Sequence, residues 1–158
     1  MHIGLISDTH GLVRPDVSNA LAGVDLILHA GDVGGEDVLI ELTLIAPVRA
    51  VMGNTDSLGM RGLVERIDDV FDGVRVHVSH GHELRAPRVE TLLAAYDADV
   101  IVYGHTHQPL VHRAPDGRLV VNPGAAGPAR FDLAPSVARL TIAGGRADVE
   151  FVELSASE

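Results

Sequence analysis

Residues 2–11 read HIGLISDTHG, a short apolar run that turns polar at Ser7 and then presents Asp8 and His10. The run 2–7 predicts a buried β-strand, because it is short, apolar and followed at once by turn-forming residues. Asp and His are common turn residues and are also metal ligands. This segment alone therefore leaves a structural and a metal-binding interpretation equally open.

The same arrangement returns at four more apolar runs. Each run is followed by glycine, Asp, Asn or His: 25–30 before Gly31-Asp32, 48–52 before Gly53-Asn54, 74–79 before His80-Gly81-His82, and 99–103 before Gly104-His105-Thr106-His107. In open α/β sheets, ligands bind at the carboxyl ends of strands. Glycine beside a ligand lets the backbone turn sharply there. We therefore expect the five segments to converge on one site.

Single segments have ordinary explanations. Asp32 could cap a following helix, and Asn54 tolerates left-handed turns. His105 and His107 are harder to explain, because two imidazoles directly after an apolar strand have little packing purpose. Five such segments together favour a metal site. A mixed imidazole and carboxylate set suits Mn, Fe, Zn, Ni or Co rather than Ca or Mg.

The remaining patterns predict an α/β fold, a two-sheet mixed β sandwich flanked by helices, in a single domain over residues 1–158. Helical stretches are predicted over Pro15–Ala22, 36–45 and 87–96. Predicted hairpins join 64–71 to 74–79 at Asp72-Gly73, 110–114 to 118–122 at Asp116-Gly117, and 136–143 to 147–154 at Gly144-Gly145. The alternation of strand and helix before residue 54 predicts parallel strands buried on both faces.

Composition excludes several classes of protein. The chain has no cysteine, and all 12 basic residues are arginine. A disulfide, a cysteine nucleophile and a phosphate-binding lysine are therefore excluded. The net charge of −10 comes without a basic patch, so we expect no stable nucleic-acid binding. The chain has neither a membrane-length apolar run nor a signal-peptide pattern, and we expect a cytoplasmic protein without membrane attachment.

The order D-x-H, G-D, G-N, H, G-H-x-H resembles the calcineurin-like metallophosphoesterase superfamily. The SDTHG, HAGD and HGH blocks are similar to the small YfcE-like phosphodiesterases within it, and the resemblance runs from Ile3 to about Arg130. It implies a phosphodiesterase in which a hydroxide bridges two divalent ions. Manganese is the first choice, with Ni, Fe, Zn or Co as alternatives. The implied ligands are Asp8, His10 and His107 for one ion (the first half-site) and Asn54, His80 and His105 for the other (the second half-site), with Asp32 bridging.

The resemblance also implies catalytic roles for Asp32 and Asn54 and a small phosphoester as the substrate, and it allows a homo-oligomer. Many family members have His directly after the Asn of the third block, where this chain has Thr55. His82 is a candidate to protonate the leaving group in its place, and an ordinary histidine is an equal interpretation. Arg130 could contact phosphate or simply be a surface residue.

His29, inside an apolar run, is predicted to be a buried, hydrogen-bonded residue rather than a ligand. Two other functions stay open. One is a phosphomonoesterase on the same site, and the other is a non-catalytic scaffold that binds partner proteins, as the fold-related retromer subunit does.

Overall fold

The computed structural model describes residues 1–130 and 132–155, so the last three residues of the predicted domain lie outside it. The strands are β1 His2–Ile6, β2 Leu26–His29, β3 Val48–Val51, β4 Leu63–Val64, β5 Ile67–Phe71, β6 Val74–Val78, β7 Val100–Val102, β8 Leu110–Arg113, β9 Leu119–Asn122, β10 Ser136–Ala143 and β11 Arg146–Glu153. The helices are α1 Val17–Ala20, α2 Glu36–Thr43 and α3 Val89–Ala95, with a 3₁₀ turn at His82–Leu84. None of the helices in this part of the chain could cross a bilayer, because they are too short.

The strands form two mixed sheets. The first has the order β11-β10-β1-β2-β3-β4, with β1 to β4 parallel and β10 and β11 antiparallel. The second has the order β5-β6-β7-β9-β8, with β6, β7 and β9 parallel. Each sheet therefore has a central parallel group whose strand ends can carry site residues to one edge.

Three apolar layers hold the sandwich together. Side chains such as Leu5 and Val102 fill the space between the sheets. Leu21 and Leu42 lie in a second layer between the first sheet and α1 and α2, and Leu92 of α3 covers the outer face of the second sheet. The predicted two-sheet sandwich with helices outside is confirmed. Burial on both faces explains why the parallel strands read as continuous apolar runs.

The predicted strand 64–71 is wrong, because the structure divides it between the two sheets. Residues 63–64 pair with β3 in the first sheet, and 67–71 pair with β6 in the second. Glu65 and Arg66 cross between the sheets and are exposed. In the sequence, their polar side chains resemble the outward-facing positions of a single alternating strand. The pattern therefore does not reveal that the chain crosses between the sheets.

The helix boundaries also differ from the predictions. The first helix has only four residues, 17–20, instead of 15–22, and the second ends at Thr43 instead of residue 45. The third begins at Val89 rather than 87, because Arg88 has an extended backbone and donates its N–H to the Thr91 hydroxyl, 2.9 Å away. That side-chain bond fixes the start of the helix after Pro87.

Candidate metal centre

The carboxyl ends of the parallel strands from both sheets meet, and they bring two carboxylates together with imidazole rings. The Asp8 Oδ1 atom lies 3.3 Å from His107 Nε2 and 3.8 Å from His10 Nε2. Asp32 Oδ2 lies 3.2 Å from His80 Nε2 and 3.8 Å from His10 Nε2. The predicted convergence of the segments therefore exists as a compact cluster of metal-competent atoms.

Two overlapping groups in this cluster could each hold an ion. One consists of Asp8, His10 and His107, and the other of Asp8, Asp32 and His80, with the ligand atoms of each within 4.8 Å of one another. Asp8 belongs to both groups. Asp32 contacts a histidine of each half-site, which is the position that a bridging carboxylate needs. Which carboxylate bridges two bound ions stays a prediction.

The first half-site contains two buried polar atoms that form no hydrogen bond within the described residues. They are Asp8 Oδ1 and His10 Nε2. The other carboxylate oxygen of Asp8 accepts hydrogen bonds from Ser7 Oγ at 2.7 Å and from the His105 N–H at 3.1 Å. Because a buried polar atom without a partner costs free energy, these two atoms fit a site built for a cation.

The second half-site is arranged differently. Asn54 Oδ1 accepts hydrogen bonds from His80 Nε2 at 3.0 Å and from His105 Nδ1 at 3.1 Å. His80 also donates its Nδ1–H to the Ala30 carbonyl at 2.7 Å, which leaves Nε2 facing the cluster. A backbone partner on the far nitrogen is the usual way to orient a metal-binding imidazole. The three predicted ligands of this half-site thus contact one another.

The charges of the cluster keep both carboxylates ionised. Burial opposes ionisation of Asp8, but the adjacent His107 and His80 rings and the hydrogen bond from Ser7 leave its pKa below the usual value. Burial likewise opposes ionisation of Asp32, and hydrogen bonds from His80 and Thr55 hold its pKa well below the usual value. Burial works against protonation of His80, yet the two carboxylates raise its pKa. The cluster therefore attracts positive charge.

The backbone holds most of these ligands in a rare conformation. Within the described ranges, eight non-glycine residues have a positive φ. Five of them are predicted ligands, with φ of 54° at Asp8, 45° at His10, 54° at Asp32, 69° at His105 and 63° at His107. Such angles cost free energy and persist only where the surroundings impose them. Here the adjacent loops do so, because Asp8 N–H bonds the Gly31 carbonyl and His10 N–H bonds that of Asp32, each at 3.0 Å.

Two glycines of the predicted blocks leave room for the ligands. A Cβ at Gly53 would overlap the backbone nitrogen and Oδ1 of Asp32. A Cβ at Gly31 would lie 2.6 Å from His80 Nδ1, and the φ of Gly31 is +99°. The glycines before Asp32 and Asn54 therefore permit a close approach between loops, as the sequence pattern indicated.

Two further residues position the cluster. The buried Asn122 donates through Nδ2 to the Gly104 carbonyl and to Thr106 Oγ1, both at 3.0 Å, which fixes the loop of His105 and His107. Asn122 begins the segment Asn122-Pro123-Gly124, which therefore lies beside the site. The Asp56 carboxylate, which no sequence pattern singled out, accepts backbone N–H bonds from Val33, Gly34 and Gly53.

His29 is fully buried, as predicted. It accepts the Gly31 N–H at 3.1 Å and contacts Thr9 Oγ1 at 2.9 Å, and burial lowers its pKa to about 4. His77, which received no role, is also buried and hydrogen-bonded, in its case to Asp68 and Ser79.

The other sequence candidates lie at the border of the cluster. The ring centroid of His82 is 5.4 Å from that of His80, and its side chain is 38% exposed, outside both ligand groups. Thr55 contributes its backbone N–H to Asp32 Oδ1 at 2.9 Å. Arg130 is exposed, and its charge contributes, after burial, to the lowered pKa of His10. Arg130 is therefore within electrostatic reach of the first half-site.

A two-sheet α/β sandwich with Asp, Asn and His ligands at its strand ends defines a class of metal-dependent phosphoester hydrolases, and comparison with known proteins agrees. The model of the calcineurin-like phosphoesterase superfamily domain matches residues 1–145. The chain belongs to this superfamily, which confirms the resemblance found in the sequence.

Individual relatives match between about four-fifths and nearly all of the chain. A probable metallophosphoesterase of Methanothermobacter thermautotrophicus is 37% identical over an alignment covering 99% of this chain and 94% of that protein. A phosphodiesterase of Methanocaldococcus jannaschii is 29% identical over 78% of this chain and 83% of its own. Among solved structures, zinc-complexed Vps29 of Entamoeba histolytica has a TM-score of 0.77 and 26% identity, covering 97% of this chain and 99% of that one.

Proposed function

We propose that this protein is a phosphodiesterase that uses two divalent metal ions, manganese first and Ni, Fe, Zn or Co as alternatives, to hydrolyse a small phosphoester. The observation that carries the proposal is that Asp8 Oδ1 and His10 Nε2 are buried without a hydrogen bond in the described part of the chain, beside Asp32 and His80. The name of the Methanocaldococcus relative supports a diester as the substrate. A cytoplasmic location and a homo-oligomer remain predictions.

The residues would divide as the family pattern implies. The first half-site would hold one ion and the second half-site the other, with Asp32 between them. Two divalent ions, when bound, supply a water of lowered pKa and polarise the phosphoryl oxygens. Asp8 and Asp32 offset only part of the charge of the ions. The site can therefore attract an anionic substrate to a protein whose net charge is −10.

His82 is our candidate for protonating the leaving group, because Thr55 offers no imidazole at the usual position. Its ring lies beside His80 and, at 6.3 Å between centroids, beside His105. In His82→Ala, we expect hydrolysis of esters with poor alcohol leaving groups to fall about a hundredfold, while nitrophenyl esters lose much less. Equal losses on both kinds of substrate would exclude the role.

The central test is hydrolysis of bis-nitrophenyl phosphate by manganese-loaded protein. Asp32→Ala is expected to lose at least about a hundredfold in rate, because it removes a ligand that contacts both half-sites. Asp116→Ala, at an exposed position in a hairpin turn, is the matched control and should keep full activity. An active Asp32→Ala protein would reject the site. A higher rate on the monoester would instead favour the phosphomonoesterase.

A non-catalytic scaffold is the second candidate function, favoured by the structural similarity to Vps29. The ligand set at the strand ends argues against it, because a surface that only binds a partner does not need buried unpartnered ligand atoms. The absence of hydrolysis across a panel of metal-loaded samples and phosphoesters, with recovery of a stable protein complex, would favour the scaffold.

A further inference from the structure

A cleft of about 530 Å³ opens beside the second half-site. Asn54 and His82 form the border that the cleft shares with the metal centre. One wall comes from residues 52–66, which run from the end of β3 to the segment that crosses between the sheets. The other comes from residues 79–96. A group attached to a phosphate at the metal centre could therefore extend directly into this cleft.

The wall formed by residues 52–66 carries a cluster of apolar side chains, those of Met52, Leu58, Leu63 and Val64. Leu58 is 91% exposed and Val64 is 50% exposed. Single exposed apolar residues are common, but here they lie together at the mouth of one cleft next to a candidate active site. Such a wall gains free energy when an apolar group covers it.

The opposite wall carries an aromatic ring held by several contacts. The Tyr96 ring stacks on the buried His77 ring, with 3.7 Å between centroids and 18° between planes. The Tyr96 hydroxyl donates to Glu83 Oε2 at 2.7 Å, and the same carboxylate accepts from Ser79 Oγ at 2.8 Å and from the Gly81 N–H at 2.9 Å. These contacts hold the tyrosine ring in place on this wall of the cleft.

The charges in the cleft are predominantly negative. Three carboxylates line it, those of Asp56, Glu65 and Glu83. Burial opposes ionisation of Glu83, but its hydrogen bonds with Tyr96, Ser79 and Gly81 keep its pKa below the usual value. The cationic side chain in the lining is that of Arg66, which is paired with Asp68 at 3.2 Å. A second anionic group on a substrate would meet net repulsion there.

We propose that this cleft receives the uncharged, largely apolar organic group of the phosphoester, and that its carboxylates select against substrates with a second anion. The inference rests on the proposed function for its phosphate end. It adds the substrate class, namely esters of an uncharged aromatic or alkyl alcohol.

Binding to the cleft can be measured without catalysis, because Met52 is one of only three methionines. In zinc-loaded protein with isotope-labelled methionine methyl groups, and with saturating inorganic phosphate to occupy the metal centre, naphthol should shift the Met52 resonance and leave Met1 unchanged. Naphthol sulfonate, with the same rings and one negative charge, should need at least about threefold more ligand for the same shift. No shift at Met52, or equal shifts by both ligands, would overturn the inference.

Charge reversal at Glu65, in the lining of the cleft, provides a second test of the preference for uncharged ligands. In Glu65→Arg, the preference for naphthol over its sulfonate should shrink about threefold or more, because the local repulsion is reversed. Glu150→Arg makes the same change in net charge on the exposed strand β11, at the far edge of the first sheet, and should leave the preference intact. Equal effects of the two variants would overturn the selectivity.

The outcomes separate the two proposals. A Met52 shift in a protein that hydrolyses no phosphoester would remove the proposed function and retain the cleft as a binding site. Hydrolysis without any Met52 shift would retain the function and reject the cleft as the site of the organic group.

Discussion

Strands β6, β7 and β9 have polar residues at both ends, but these residues are exposed at the amino ends and buried at the carboxyl ends. At the amino ends, Asp99 accepts hydrogen bonds from Arg75 at 2.8 and 3.1 Å, and both side chains are more than two-fifths exposed. At the carboxyl ends, His80 and Asn122 are fully buried. Charges that neutralise each other in solvent contribute little, whereas buried polar groups must be ordered and paired. The end that carries the candidate site is thus distinguished by burial rather than by the amount of charge.

The largest expected effect tests this contrast within the metal centre itself. In the first half-site, Asp8 Oδ1 and His10 Nε2 form no hydrogen bond within the described residues, whereas in the second Asn54 Oδ1 already bonds His80 and His105. We expect His10→Ala to weaken binding of the ion in the first half-site by at least about a hundredfold. Asn54→Ala should weaken only the second ion, leaving about one ion bound at micromolar manganese.

Equilibrium dialysis with elemental analysis measures both stoichiometries, and far-ultraviolet circular dichroism confirms that the variants fold. Equal losses of metal in the two variants would show that the half-sites do not differ in the way their hydrogen bonds indicate.

The sequence predicted which side chains cluster at the strand ends better than it predicted the elements around them. The apolar runs are followed directly by Asp8, His10, Asp32, His105 and His107. Because short loops after parallel strands lie at the same edge of the sheet, these side chains come close together. The prediction of one strand over 64–71 was wrong because the sheet that each residue joins depends on pairing partners that are distant in the sequence. Local alternation does not specify those partners.

The backbone strain at the ligands could not have been predicted. Positive φ at Asp8, His10 and Asp32 depends on hydrogen bonds between loops that lie more than twenty residues apart. The role of Asp56 has the same origin, since its three N–H donors come from two different loops. The sequence pattern identified side chains that converge in the cluster but did not identify Asp56, which holds the adjacent loops.

The next largest effect is expected at His29, a buried histidine near the carboxyl ends of the strands. The pKa of His29 is about 4 in the folded chain, because of burial, against an ordinary value of 6.5. The unfolded chain therefore binds more protons between these values, and the free energy of unfolding should decrease as the pH falls from about 6.5 to 4. The shift corresponds to at most about 3 to 4 kcal/mol, roughly three-hundredfold in the folding equilibrium.

Urea unfolding of chelator-treated protein across this pH range measures the slope. His29→Asn, whose amide oxygen can still accept the Gly31 N–H, should lose this contribution to the slope. His112→Asn, on the exposed edge strand β8, should keep the slope of the original protein. Parallel curves for the original protein and His29→Asn would contradict the prediction.

A smaller effect is expected from a residue that contacts the ligand loop without being a ligand. Asn122→Ala removes two hydrogen bonds that fix the loop of His105 and His107. We expect metal affinity to fall between about tenfold and a hundredfold, which is the range for partners that orient ligands. Calorimetric titration with manganese measures this, and Asn19→Ala on the exposed side of α1 is the matched control. An unchanged affinity would show that the loop holds its shape without Asn122.

The smallest effect belongs to the amino ends of the strands. Asp99→Asn removes a charge from the exposed pair with Arg75 and keeps an oxygen that can accept the Arg75 N–H. We expect the folding equilibrium constant to change less than about fivefold, because solvent screens exposed pairs and the long side chains lose freedom in forming them. Metal binding should not change, since the pair lies at the opposite end of the strands from the cluster. Urea unfolding and manganese titration of this variant therefore complete the comparison. If Asp99→Asn weakened metal binding as much as Asn122→Ala, the two strand ends would be coupled through the sheet, and burial at one end could no longer explain why metal binds there.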